Sequence, residues 1–539
     1  MLMAQALTRT LQVCHESSIL QKRICKHSRQ EIELLLFQVL VHLLQTQQLH
    51  GTWDGCKEAT AYALIAIDAI TRIFGHQLPH AKISTAMRQG QAVLLTDFQR
   101  QAHPDRLWIE KVTFGSRNLS DAYILTALRC SFVHQHRQLA NCTKMDEHIS
   151  IMAKVFKHLP VLEQTPHWLI EASLFEGSLF RPLLQQKCRE TFPDGTGSGK
   201  HTIFIPATWT LPARSVQVGL VANMQLDMMT LSSFLYTIDH HIETVIGAQG
   251  DKERRALRDA IDASLDFHGH FLDTPFPDQT LQKFINYIRR HPKVQSASIP
   301  DKTALFTNLR RYLVAHLDQV DDNHRLQQCR THLTRWTEPR HASLFHWIQS
   351  TSSHHTGGQL AFSFFLCLIG SGKGTDTLPS PQAKYFGEEL SNRLAALSRL
   401  ENDYGSLERD RVEGNLNSID FLIAAQQAAM SEQETASNGD TSSATAVNTT
   451  LARAKKHLLT LAEYERRSIN RLLHQELEPL VAPKTFEALK MFAMAVDIFG
   501  QMYVLKDHTP RKAESKPAEP LFTNGHGQNG DDETWKYGW

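Results

Sequence analysis

Within ENDYGSLERDRVEGNLNSIDF, residues 401–421, oxygen-bearing side chains recur at every fourth position as Asn402, Ser406 and Asp410. Residues four apart lie above one another on a helix, so this spacing stacks an amide, a hydroxyl and a carboxylate on one face. Hard oxygen donors of this kind suit Mg²⁺, which takes a few protein oxygens and completes its octahedron with water and phosphate. A solvated helix end with ordinary i,i+4 partners would show the same spacing. A second stretch favours the metal reading. YTIDHHIETV, 236–245, sets Asp239 and Glu243 four apart beside an apolar stripe of Leu231, Leu235, Ile238 and Ile242. Two such faces at the mouth of a helical bundle could hold a cluster of divalent ions between them. A diphosphate leaves readily only when its charge is neutralised, which such ions do as Lewis acids and as a clamp. If the organic part is allylic, departure leaves a carbocation. An apolar, aromatic pocket would then keep water away and stabilise the cation through ring faces. Phe234, Tyr236, Phe362, Phe364 and Phe365 are candidate wall residues, though each is equally a core residue.

The elements that must carry these faces read as helices. Apolar residues at helical period mark 32–48, 59–74, 83–97, 118–136, 216–247, 280–291, 302–335, 359–369, 385–413, 419–430, 450–477 and 483–504. No convincing run of alternating strands interrupts them, so the expected class is all-α, with a bundle able to enclose a pocket. The 539 residues suggest two or three domains, and a hydrophobic share of 42% supports a large core. The 57 basic and 56 acidic residues nearly cancel, which gives no reason to expect a nucleic-acid partner. The 29 histidines are dispersed and the 8 cysteines lack CxxC spacing, so neither structural zinc nor a disulfide framework is expected. No stretch approaches an uninterrupted membrane-length apolar run, and the N-terminus shows no secretory h-region. The expectation is a cytoplasmic chain without a transmembrane segment. GTGSGK (195–200) and GSGKG (370–374) superficially suggest phosphate loops, but neither completes the P-loop pattern or follows a strand.

NDYGSLERD resembles the second metal-binding motif of class I terpene synthases, Asn-Asp-x-x-Ser-x-x-x-Glu/Asp. The resemblance implies Asn402, Ser406 and Asp410 as Mg²⁺ ligands. The continuation RVEGNLNSIDF is similar to the segment that follows in the fungal bifunctional copalyl diphosphate/ent-kaurene synthase family. That family's first motif is Asp-Glu-x-x-Glu. Asp239 and Glu243 match it, while His240 stands where a second carboxylate is usual. LHGTWDGCKEATAYAL (49–64), with Gln47, Gly51 and Trp53, and LWIEKVTFGSRNLSDAY (107–123) resemble the family's class II portion. AEYERRSINRLL (462–473) and VDIFGQMYVLKD (496–507) resemble its last helices. No Asp-x-Asp-Asp sequence, the class II protonation motif, is present.

Turn residues in PLLQQKCRETFPDGTGSGKHTIFIPATWTLP (182–212) suggest a boundary, so 161–205 reads as a linker, and 507–539, polar with few apolar residues, reads as a disordered tail. The resemblance makes residues 1–160 a partial class II-like helical domain without its catalytic motif and 206–506 a class I catalytic domain. It also implies a cofactor complement of Mg²⁺, three ions with the diphosphate. The substrate is a prenyl diphosphate, either geranylgeranyl diphosphate or copalyl diphosphate supplied by a separate class II cyclase. Cationic and hydroxyl partners for the diphosphate are expected from Arg399, Arg466, Arg467, Tyr503, Arg310 and Arg311, though surface ion pairing is an equally ordinary role for each arginine. Three rival readings are a sesquiterpene synthase, a prenyltransferase and a non-catalytic helical scaffold.

Overall fold

The computed structural model describes residues 2–16, 26–74, 78–100, 107–109, 112–131, 143–193, 201–217, 219, 221–265, 276–328, 343–370, 374–424 and 443–505. The tail at 507–539, both glycine-rich loop cores and most of the polar run at 431–450 lie outside them. The described fold is helical, as the periodicity predicts. Its one exception is a short antiparallel hairpin, β1 (Leu107–Ile109) with β2 (Val112–Phe114), in which Trp108 faces Thr113.

The first helices are α1 (Leu2–Glu16), α2 (Lys26–Thr46), α3 (Lys57–Phe74), α4 (His80–Gln99) and α5 (Arg117–Arg129). They bury one apolar cluster around Leu36, Phe37, Leu40, Leu64 and Ile67. Between α2 and α3 the chain turns through Gly51, whose φ of 95° suits glycine. The Gln47 amide donates to the Gly51 and Ala86 carbonyls, and the Trp53 indole N–H donates to the Leu43 carbonyl at 2.9 Å. Gln47, Gly51 and Trp53, which carry the resemblance of this stretch to a class II portion, are therefore hydrogen-bonded staples of this turn.

The remaining elements are α6 (Thr143–Lys157), α7 (His167–Thr191), α8 (His201–Ser215), α9 (Ala222–His241), α10 (Asp251–Ser264), α11 (Gln279–Arg290), α12 (Pro292–Ser296) and α13 (Ile299–Gln328). A broken segment follows: α14 (Leu344–Trp347), a π turn (Ile348–Ser352) and α15 (Ser353–His355). Then come α16 (Gly358–Ile369), α17 (Pro381–Glu413), α18 (Ser443–Arg471) and α19 (Pro483–Leu505). They surround a second, larger apolar cluster.

The stretch expected as a linker, 161–205, is mostly helix. Helix α7 fills it and belongs to both cores at once: Leu169, Ala172 and Phe175 pack into the first, Ile170, Leu174, Phe180 and Leu183 into the second. The turn-rich residues that suggested a boundary fall only at its end. A buried bidentate ion pair fastens the junction. Arg214 of α8 holds the fully buried Glu176 of α7 at 2.6 and 2.7 Å, and Gln38 of α2 donates to the same carboxylate at 2.8 Å. No separate N-terminal sub-domain is discernible among the described residues.

Helix α17 starts as its sequence demands. Ser380 caps it by accepting from the Ala383 N–H at 3.0 Å, with Pro381 in the first turn. It ends at Gly414, whose φ of 75° closes the helix. It packs along α18 and α19. Helix α19 is, among the described residues, the one long and apolar enough to cross a membrane, yet 61% of its apolar window is buried inside this core. The backbones of α17 and α19 come close at Gly405, where a Cβ would meet the Tyr503 carbonyl oxygen at 2.0 Å. We expect Gly405→Ala to force the helices apart and destabilise the fold by about 1–3 kcal/mol, the usual cost of overpacking. Urea unfolding of the two proteins measures it; an unchanged midpoint and slope would contradict this contact.

Candidate active site

A cavity of about 190 Å³ opens between α9, α13, the broken segment before α16, α17 and α19. Asp239 and Glu243 line it from the end of α9, where the helix widens into a π turn over Ile242–Ile246. Such turns reorient side chains at a helix end and recur at functional sites. Asn402 and Asp410 line the cavity from α17. Ser406, one turn between them, is fully buried behind the wall and donates to Asp410 Oδ2 at 2.6 Å. The two oxygen-bearing helix faces inferred from spacing thus meet at one cavity.

The acids of α17 are held by partners that the spacing alone did not reveal. After Gly414 the chain folds back. Asn417 Nδ2 donates to Asp410 Oδ2 at 2.8 Å and to the Asp403 carbonyl at 2.9 Å, and the Ser418 N–H donates to Asp403 Oδ2 at 2.8 Å. Asn323 of α13 anchors this turn by accepting from the Leu416 N–H at 2.8 Å. Arg409 sits 3.3 Å from Asp410 Oδ1 and also lines the cavity. Burial raises the Asp403 carboxyl above its ordinary range, against the opposing pull of Arg399. The sequence signal for this polar latch is the resemblance of RVEGNLNSIDF to its family, which carries no role for the individual residues.

Of the expected diphosphate partners, Arg399 and Tyr503 line the cavity. Arg399 pairs with Asp403 at 2.8 Å, donates to the Leu416 carbonyl and lies over the Trp347 ring at 5.1 Å. Tyr503 shares a 2.5 Å hydrogen bond with Tyr236. The other four arginines are not brought to the cavity wall. Arg466 is engaged by Asp497, Glu463 and Glu401. Arg467 has a side chain 78% exposed and pairs with Glu463 at 2.9 Å. Arg310 pairs with Asp262 at 2.8 Å, and Arg311 is exposed beside Asn308. A basic residue near the motif in sequence therefore says little; the direction of its helix face decides. Among the aromatic candidates Tyr236 lines the cavity, whereas Phe234, Phe362, Phe364 and Phe365 are core. The aromatic wall is instead built from Trp209, Tyr312, Phe492 and Phe499.

Asp239 has neighbours that its own motif does not supply. His241 turns away to Asp278, the N-cap of α11, at 2.9 Å. His316 of α13 and His355 of the broken segment approach Asp239 instead, and the three ligand atoms lie within 4.8 Å of one another. Burial pushes the His316 imidazolium down to about 3, helped by Arg399. Burial likewise holds His355 well below its ordinary value, with His316, Arg399 and Arg409 adding to the effect. Both rings are neutral near pH 7, and this clustered Asp/His/His triad can coordinate a divalent metal. Of the α17 oxygen donors, Asn402 and Asp410 line the cavity and are of the kind that suits a hard cation, whereas Ser406 Oγ is hydrogen-bonded to Asp410 Oδ2 at 2.6 Å behind the wall.

No family model matches the chain. It is 28% identical to a pimaradiene synthase of Emericella nidulans over 94% of its own length and 54% of the relative's. It is 26% identical to an ent-kaur-16-ene synthase of Fusarium fujikuroi, with 94% and 55% covered. It is 24% identical to a phyllocladan-16-alpha-ol synthase of Phomopsis amygdali, with 95% and 55% covered. The chain is homologous, at the level of the family, to fungal diterpene synthases, and it spans about half the length of these curated relatives.

One ionisable group at the back of α17 gives a test of this geometry in solution. Glu401, Glu463 and Asp497 share the single guanidinium of Arg466. Burial, then repulsion from Asp497, pushes the Glu401 carboxyl up to about 8. Folding therefore tightens a proton, and this stability is complete below the ordinary carboxylate range and lost as pH rises through about 8. Thermal unfolding midpoints should fall more steeply between about pH 5 and about pH 8 in the parent than in Glu401→Gln, and run level with it above that. Parallel profiles would show that Glu401 is ionised throughout.

Proposed function

We propose that this chain is a Mg²⁺-dependent class I terpene synthase of the diterpene type. It ionises a C20 prenyl diphosphate, copalyl or geranylgeranyl diphosphate, cyclises the resulting carbocation and releases diphosphate. The observation that carries the reading is the meeting of Asp239 and Glu243 with Asn402 and Asp410 at one cavity that also has an aromatic wall. Homology to fungal diterpene synthases supports it.

In this reading Asp239 and Glu243 on one helix, and Asn402, Ser406 and Asp410 on the other, are the Mg²⁺ ligands. Bound there with diphosphate, Mg²⁺ would neutralise the leaving group and act as a Lewis acid. Asn417 keeps Asp410 aimed along the ladder. Arg399 and Arg409 add positive charge beside it, where the diphosphate oxygens accumulate charge as the C–O bond breaks. The Tyr236–Tyr503 pair offers a hydroxyl at the same wall. Trp209, Phe492 and Phe499 exclude water below and present ring faces to the cation. Arg310, Arg311, Arg466 and Arg467 have no part in this mechanism, because they do not line the cavity.

Residues 1–160 are proposed to derive from a class II-like helical portion that now supports α7 and α8 and performs no protonation-initiated cyclisation. The absence of an Asp-x-Asp-Asp sequence motivates this. Copalyl diphosphate would then come from a class II cyclase acting first.

Incubation with Mg²⁺ and C15, C20 or copalyl diphosphate should release diphosphate and yield cyclic hydrocarbon. We expect kcat/KM to favour the C20 substrates, since each buried methylene adds roughly 0.8 kcal/mol of binding. Asn402→Ala and Asp410→Ala should each lower kcat by at least about 100-fold, the scale seen when one charge-stabilising group is removed. Full turnover in both variants would sink the ligand assignment. A C15 preference would remove the diterpene assignment and leave the chemistry standing.

A further inference from the structure

We propose that Asp239, a residue shared with the Mg²⁺ face, forms with His316 and His355 a site for one borderline divalent cation, of the Co²⁺ or Zn²⁺ kind, which fills before any diphosphate binds. The inference rests on the metal-dependent reading of this cavity and divides its metal sites into two chemical types.

The three residues come from different elements: the end of α9, the middle of α13 and the broken segment before α16. His316 is 1% exposed, and among the described residues neither of its ring nitrogens makes a hydrogen bond; nor does His355 Nε2. Buried imidazole nitrogens are ordinarily satisfied, because leaving one without a partner is costly. Here they point at one carboxylate oxygen without closing on it. His316 Nδ1 lies 3.4 Å and His355 Nε2 3.6 Å from Asp239 Oδ1. An imidazole–carboxylate hydrogen bond would draw these atoms to about 2.9 Å. A tetrahedral ion with ligand bonds of about 2.1 Å instead holds its ligand atoms about 3.4 Å apart. The two spacings to Asp239 Oδ1 match those of ligands around an ion, and the third pair of ligand atoms lies within 4.8 Å. The two rings sit face to edge-tilted at 3.9 Å between centroids, with Tyr312 packed edge-on to His316 at 4.5 Å. That packing fixes the ring directions as a ligand shell requires.

The donor set decides the ion. Two imidazoles and one carboxylate are softer than the all-oxygen face of Asn402, Ser406 and Asp410. Imidazole favours the later transition metals, whereas carboxylate, carbonyl and water suit Mg²⁺. Asp239 and His355 line the cavity, so a fourth coordination position opens toward the space where a ligand oxygen would enter. Because all three donors are protein groups already converged, this site needs no diphosphate to complete it.

The test uses the full chain, purified without a polyhistidine tag, stripped of metal and titrated with Co²⁺ in excess Mg²⁺ and no prenyl diphosphate. One Co²⁺ per chain should bind, with the visible absorption of a low-coordinate nitrogen-ligated site. Asn402→Ala should leave the spectrum unchanged. His355→Ala and His316→Ala should weaken binding by more than the roughly 10–100-fold that loss of an outer-shell partner costs. Circular dichroism checks their folding, and His355→Ala, the less buried position, decides if His316→Ala does not fold. Absence of Co²⁺ binding, its complete displacement by Mg²⁺, or its survival in folded His355→Ala overturns the proposal. If Mg²⁺-dependent diphosphate release persists in those cases, the proposed function stands without it. Stoichiometric Co²⁺ binding by a chain that turns over no prenyl diphosphate would uphold this site and overturn the function.

Discussion

Helix α17 removes three carboxylates from water within three turns, Glu401, Asp403 and Asp410. An ionised carboxylate inside a core persists only with charge or hydrogen-bond partners at hand, and otherwise takes up a proton. Much of the surrounding architecture supplies those partners. Arg466 on α18 reaches Glu401, Arg399 on the same helix pairs with Asp403, and Arg409 with the Asn417 amide holds Asp410. Glu401 faces a structural cation, Asp403 faces a cation that itself lines the cavity, and Asp410 faces the cavity directly. A row of acids along one helix thus performs different work according to which face each occupies.

The same division explains how the cavity joins apolar and polar chemistry. Its aromatic side comes mainly from α8 and α19, through Trp209, Phe492 and Phe499, with Tyr312 from α13. Its polar side combines one face of α17, with Arg399, Asn402, Arg409 and Asp410, and places where helices end or break: the π turn after α9, the turn after Gly414 and the segment at Thr356–Gly358. Helix ends leave backbone groups unsatisfied and side chains free to converge, so polar groups collect there without disrupting the core.

The helical class, the two oxygen-bearing faces and their shared cavity were legible because the helix period maps spacing directly onto faces. Spacing places Asp239 with Glu243 and Asn402 with Asp410 on shared faces, while the choice of a metal over a solvated helix end comes from the family resemblance. Periodicity does not encode which helices adjoin. Arg466 and Arg467 are neighbours in sequence, yet neither reaches the cavity, since their helix directs them to Glu401, Glu463 and Asp497. His316 and His355 stood unmarked among dispersed histidines because their proximity exists only after α13 packs beside the broken segment. The 161–205 stretch misled for a simpler reason: Pro206 and the glycines near 195–199 suggest a boundary, but the apolar residues of α7 point to two sides at once.

That two-sided helix also bears on how the chain comes off the ribosome. The apolar cluster of α1–α5 is incomplete until residues 169–175 have been made, so the early helices wait with an uncovered surface. When α7 does emerge it brings Glu176, whose guanidinium partner Arg214 is still 38 residues away in the nascent chain. Docking α7 before α8 would strand a carboxylate in a closing interface, whereas docking them as a hairpin neutralises it on arrival. Vectorial synthesis therefore favours a pause at this junction, with α7 and α8 entering together as the unit that seals both cores.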